Sequence, residues 1–109
     1  MDIKVGDYVR CGTAGIKRVV QIIKEPKYFT VKHIRDEEGL LVRVEFITKV
    51  SEDKLGIIEE GDYVNGKRVR MNYESGELEI PKKINDILTK EQFNARKYVF
   101  KEEIEYGQE

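Results

Sequence analysis

The sequence predicts a mainly β chain made of two related copies of one short barrel-like unit, with one short helix near the C-terminus. Three observations carry that expectation. Gly-Asp-Tyr-Val occurs at Gly6 to Val9 and again 55 residues later at Gly61 to Val64. Lys17-Arg18-Val19 is matched by Lys67-Arg68-Val69 at a spacing of 50, and Ile47-Thr48-Lys49 by Leu88-Thr89-Lys90 at 41. Short stretches alternating between apolar and polar residues accompany both copies, which is the period of half-buried strands. The expected organisation is a first unit over 1–56, a second over 57–104 packed on the first, and an acidic tail over 105–109.

Each copy opens on a Gly-Asp turn. Glycine accepts a positive φ and the aspartate carboxylate bonds a nearby amide, so the pair bends the chain. Tyr-Val then feeds a half-buried strand. Turn chemistry accounts for Asp7 and Asp62 without any site chemistry. The run Val19-Val20-Gln21-Ile22-Ile23 is apolar on both faces, which predicts a bulge or a contact between units. The hairpin that follows is expected to turn at Lys24-Glu25-Pro26-Lys27, where Pro26 need not join a ladder. Ile22 would then face Phe29, and Val20 would face Val31.

Further along, Val42, Val44 and Phe46 share one face of a strand pattern, with Arg43 and Glu45 on the other. Ser51-Glu52-Asp53 lacks an apolar anchor, so only a turn is expected after Thr48. In the second copy Val69 and Met71 face inward, with Arg68, Arg70 and Asn72 outward. A four-residue turn at Tyr73-Glu74-Ser75-Gly76 sets Arg70 opposite Glu79 and Met71 opposite Leu78. Thr89-Lys90-Glu91-Gln92 is a capping box that opens a helix to about Arg96 and buries Phe93. Tyr98-Val99-Phe100 reads as a closing strand.

The 109 residues are 39% hydrophobic and 38% charged, enough for a core under a densely charged surface. No apolar run is long enough to span a bilayer, and none near the N-terminus resembles a signal peptide. Cys11 is the only cysteine, so no internal disulfide forms. A cytoplasmic location is expected, with no membrane partner. The net charge is −1, and it is uneven: residues 1–56 hold 11 basic against 9 acidic residues, residues 57–109 hold 9 against 12.

Val5-Gly6-Asp7-Tyr8-Val9-Arg10, followed by a glycine-containing loop and an Ile/Val-rich strand, resembles the start of SH3-like small barrels. The whole chain resembles uncharacterised small phage and prophage proteins of Firmicutes with tandem repeats of this kind. Gly6 to Val9, Gly61 to Gly66 and Leu88 to Phe93 carry that likeness. The resemblance implies two SH3-like small barrel units from an internal duplication and a mobile-element origin. It supplies no catalytic residue.

Catalytic side chains are scarce. His33 is the only histidine and Ser51 and Ser75 the only serines, both serines in turn-like contexts. Cys11 and His33 would form a nucleophilic pair only if the fold joined them. Two such ligands do not close a zinc site without carboxylates, and Cys11-Gly12-Thr13-Ala14-Gly15 lacks the Gly-Lys-Ser/Thr that cradles phosphate. No enzyme, metal or cofactor is expected. One constellation stands out: Lys17, Arg18, Lys24, Lys27, Lys32 and Arg35 against Glu25 alone, with Tyr28 and Phe29 between them. Basic strands with aromatics bind nucleic-acid backbones and stack bases, or they are a solvated face. The candidate contacts are Lys24, Lys27, Tyr28, Lys32 and Arg35. The leading functional expectation is a non-catalytic protein-binding module, in a phage setting an inhibitor of a host defence complex of anti-CRISPR type. The alternative is a nucleic-acid-binding barrel using the 17–35 hairpin. Oligomeric state is open at this level.

Overall fold

A computed structural model describes residues 2–96. The strand expected at Tyr98-Val99-Phe100 and the tail 105–109 lie outside them. The described chain is mainly β. The described residues divide into two compact units, with the boundary between residues 58 and 59.

In the first unit five antiparallel strands form one sheet in the order β4-β3-β2-β1-β5. They are β1 (Tyr8–Arg10), β2 (Ile16–Lys24), β3 (Val31–Asp36), β4 (Leu41–Arg43) and β5 (Lys49–Ser51). Ile3, Val9, Cys11, Val19, Ile34 and Ile47 are the buried core, with Ile22, Val31, Val42, Val44 and Val50 packed against it. Burying a side chain of this size stabilises by about 1.5–3 kcal/mol, so this cluster holds the unit together. The doubly apolar run of β2 does bulge: its register against β3 shifts between Val19 and Gln21 and again between Ile23 and Lys24. Val20, at the first bulge, is half exposed.

Three local expectations give way here. Lys24 pairs with Val31 and Ile22 with Ile34, so the connection is the six residues 25–30. Phe29 therefore lies in the loop and does not face Ile22, nor does Val20 face Val31. A 3-10 turn at Val44–Phe46 ends the alternation after β4. A period of three replaces the period of two, so Phe46 swings out and Ile47 takes the inward place. After β5, a short helix α1 (Lys54–Ile57) forms where only a turn was expected. The Asp53 carboxylate accepts from the Gly56 amide at 2.7 Å, and Ile57 is the fully buried anchor.

The second unit contains β6 (Tyr63–Val64), β7 (Lys67–Arg68), β8 (Arg70–Asn72), β9 (Glu77–Glu79) and β10 (Ile87–Leu88). They form a three-stranded sheet, β10-β6-β7, and the β8–β9 pair. The expected register is observed: Arg70 opposite Glu79, Met71 opposite Leu78 and Asn72 opposite Glu77. Residues 90–96 are helical. The capping box closes as expected: the Thr89 amide donates to Gln92 Oε1 at 3.0 Å, and the Gln92 amide to Thr89 Oγ1 at 3.2 Å. Phe93 stacks on Tyr63 with ring centroids 4.7 Å apart, but it stays 36% exposed instead of buried.

The two Gly-Asp turns are built alike. Gly6 and Gly61 have φ of 97° and 94°, a region that strains any residue with a Cβ. In the first turn the Lys4 amide donates to Asp7 Oδ2 at 2.8 Å, and the Asp7 amide to the Lys4 carbonyl at 3.0 Å. In the second the Glu59 amide donates to Asp62 Oδ2 at 2.8 Å, and the Asp62 amide to the Glu59 carbonyl at 3.1 Å. Val19 and Val69 each close the turn by donating to the aspartate carbonyl and accepting from the glycine amide. The strand pairs that follow match too: Tyr8 opposite Arg18 and Val9 opposite Lys17, Tyr63 opposite Arg68 and Val64 opposite Lys67. The third likeness seen in the sequence is not structural. Val9 pairs with Val50 and Val64 with Ile87, so the closing strands correspond at a spacing of 37, not 41.

Candidate functional site

The β2–β3 hairpin carries all five candidate contact residues. Lys24 ends β2, Lys27 and Tyr28 lie in the loop, and Lys32 and Arg35 are on β3. The loop has a defined shape. The Glu25 amide donates to the Thr30 carbonyl and the Phe29 amide to the Glu25 carbonyl, both at 2.8 Å. Lys32 Nζ lies 3.4 Å from the Glu25 carboxylate across the loop base. Tyr28 and Phe29 stand 62% and 77% exposed at the tip, and the Lys27 ammonium sits 5.5 Å from the Tyr28 ring centroid. Phe29 has a φ of 54°. The left-handed region costs a residue with a Cβ about 1–2 kcal/mol, and here no burial offsets that cost.

Folding pairs three of the six cations of the basic run, Lys17, Arg18 and Lys32, with carboxylates. Lys17 Nζ lies 3.4 Å from Asp36, and Arg18 Nη1 lies 3.7 Å from Glu37. Arg18 also covers the Tyr8 ring at 5.7 Å. Arg35 donates from Nε to Gln21 Oε1 at 3.2 Å and from Nη1 to the Gly39 carbonyl at 2.7 Å. The carboxylates of Asp36 and Glu37 come from just past the end of the run, where a count over 17–35 does not reach. The candidate residues thus separate into two sets. Lys32 and Arg35 are engaged internally. Lys24 and Lys27 are without a carboxylate partner among the described residues and flank the two aromatics.

Asp36 anchors the far end of the hairpin. Its Oδ1 accepts the Glu38 amide at 3.0 Å and the Leu40 amide at 2.9 Å, shaping the β3–β4 turn. Burial pushes its carboxyl up, but the Leu40 amide, the Lys17 ammonium and the Glu38 amide outweigh that and hold it below the usual carboxylate range. Cys11 lies in the core, its thiol 4.0 Å from the Val9 carbonyl. Burial pushes it up to about 11; the Lys17 ammonium opposes this and Asp36 adds to it. It is a thiol, not a thiolate, at neutral pH, so it is no activated nucleophile. His33 sits within β3 between Ile23 and Arg43, and no hydrogen bond joins it to Cys11.

Sequence reasoning passed over Phe29 as a contact because it assigned Phe29 to the core side of a strand. It also passed over Leu41 and Phe46, both more than half exposed beside a groove that runs along Cys11 to Ala14. Among the described residues no group of three or more His, Cys, Asp or Glu gathers where a metal would bind, and no helix is long and apolar enough to cross a membrane. No protein-family model, curated protein or solved structure matches the chain.

Proposed function

We propose that this protein is a non-catalytic protein-binding module and that the β2–β3 hairpin tip is its docking element. One observation carries the reading: Phe29 is held in the left-handed region with its ring 77% exposed. Strain without internal compensation is stable only because the loop bonds impose it, and it presents an aromatic ring already ordered for contact. Aromatic residues are enriched at protein interfaces, and one that is already ordered loses little entropy when it binds. Lys24 and Lys27 beside them favour an acidic partner surface.

The architecture is read as two SH3-like units from an internal duplication. The paired Gly-Asp turns and the matched Tyr–Arg and Val–Lys cross-strand pairs support that reading. The resemblance to small phage and prophage proteins extends it to a module of mobile-element origin that acts in the host cytoplasm by occupying a host defence complex. A photo-reactive phenylalanine analogue at position 29 tests the docking element. A discrete cross-linked product in host cells, lost on Tyr28→Ala, is expected; no product at any expression level removes the reading.

The alternative, nucleic-acid binding, is favoured by one observation, the placing of Lys24 and Lys27 beside Tyr28. Against it, the carboxylates of Glu25, Asp36 and Glu37 lie on the same hairpin and cancel three of its six cations. Retention of single-stranded nucleic acid that falls steeply with salt would establish this second reading.

A further inference from the structure

The second unit also ends a hairpin in an exposed tip, and its charge is opposite. Tyr73 is 86% exposed on the β8–β9 turn, with Glu74 and Glu77 exposed beside it. The tip is ordered by its own bonds. Asn72 Oδ1 accepts the amides of Glu74 at 3.0 Å and Ser75 at 3.3 Å, and the Gly76 amide donates to the Asn72 carbonyl at 2.7 Å. Glu79, two residues further along β9 than Glu77, lies opposite Arg70, whereas Glu74 and Glu77 have no cationic partner among the described residues. One hairpin thus offers two lysines and two aromatics, the other two glutamates and a tyrosine.

We propose that the β2–β3 tip of one copy docks on the β8–β9 tip of a second copy, so that the chain associates head to tail. The inference rests on the reading of the β2–β3 tip as a protein-docking element. Charge complementarity selects the occupant. Lys24 and Lys27 meet Glu74 and Glu77, and Tyr28 and Phe29 lose their exposure against Tyr73. The two surfaces differ, so the contact is heterologous, and association continues beyond a pair unless the ring closes. Both tips are already ordered, so little loop entropy opposes the contact. Its strength comes from exposed charges and three rings, which makes it weak and salt-sensitive.

Sedimentation equilibrium of the full chain over a range of concentrations tests this. The weight-average mass should climb above the monomer mass at low salt and return to it at high salt. Lys24→Glu with Lys27→Glu should hold the chain monomeric, as should Glu74→Lys with Glu77→Lys. The chain carrying all four exchanges should associate again, because both tips have reversed together. Among the described residues none of these side chains makes an ion pair, and an unchanged far-UV circular dichroism spectrum checks that each variant folds. A wild-type chain that stays monomeric, association that survives either double exchange, or a fourfold exchange that stays monomeric overturns the proposal. The probe at position 29 separates this result from the broader reading. In the purified chain, a cross-link to the 73–77 tip of a second copy supports head-to-tail docking. A purified chain that is monomeric and forms no such link, yet is cross-linked to a different protein in cells, keeps the docking element and removes self-association.

Discussion

Asp62 Oδ1 accepts the backbone amide of Lys90, the first residue of the 90–96 helix, at 3.0 Å. The other oxygen of the same carboxylate accepts the Glu59 amide at 2.8 Å. One fully buried side chain therefore ties the Gly-Asp turn to a helix start 28 residues away. In the first unit Asp7 makes the matching turn bond to Lys4.

This difference sets an order of stability effects. Asp62→Ala strands two amides and should cost about 3 kcal/mol, whereas Asp7→Ala strands one and should cost about 1.5–2 kcal/mol. Urea unfolding followed by circular dichroism measures both. Equal losses at the two positions would contradict the helix tie.

Phe29→Gly should stabilise the first unit by about 0.5–1 kcal/mol, since glycine takes a φ of 54° without the Cβ clash and no buried contact is lost. The same variant should lose partner capture. A rise in the unfolding midpoint together with loss of binding would show that the tip holds strain for the sake of contact. A fall in midpoint would mean that the ring packs internally.

Asn65 has a φ of 52°. Its side chain donates to the Lys83 carbonyl at 2.8 Å and accepts the Asn85 and Asp86 amides at 2.8 and 3.1 Å. Asn65→Ala should destabilise the second unit by about 1–2 kcal/mol. The site is exposed, so water replaces part of each bond. Asn65→Gly should lose less, because it keeps the backbone freedom. Hydrogen exchange at Asn85 and Asp86 should quicken in both variants.

Two pH dependences follow from opposite shifts. The Asp36 carboxyl is depressed in the folded state, so its contribution is whole above the ordinary carboxylate range and is lost as pH falls through the folded value. Asp36→Asn should lower stability at neutral pH and flatten the acid limb. The Cys11 thiol is raised from 9.0 to about 11, so its contribution is whole below 9.0 and drains away between 9.0 and about 11. Alkylation of Cys11 at neutral pH should be far slower than that of a free thiol and should rise toward the free rate on unfolding.

Features set within a few residues were legible in the sequence. The two Gly-Asp turns, the β8–β9 register through Arg70 and Glu79, the bulge in β2 and the Thr89–Gln92 box all depend on neighbours. The basic hairpin was visible as composition, but its net field was not. The carboxylates that cancel it lie at Asp36 and Glu37, and only the strand pairing brings them beside Lys17 and Arg18. The rise of the Cys11 thiol to about 11 was equally out of reach, since the burial that causes it arises from strands distant in sequence.

Local sequence was enough for the two Gly-Asp turns, the β8–β9 pairing and the Thr89–Gln92 box, because backbone sterics, capping bonds and side-chain periodicity act over one to about ten residues. It took the packed units to decide that Val50 and Ile87 close on Val9 and Val64, that Phe46 and Phe29 point outward, and that Lys24 and Lys27 have no carboxylate partner among the described residues. Those outcomes are settled by which apolar surfaces share a core and which charges are left over once it has formed. That sum runs over the whole unit, and no local window contains it.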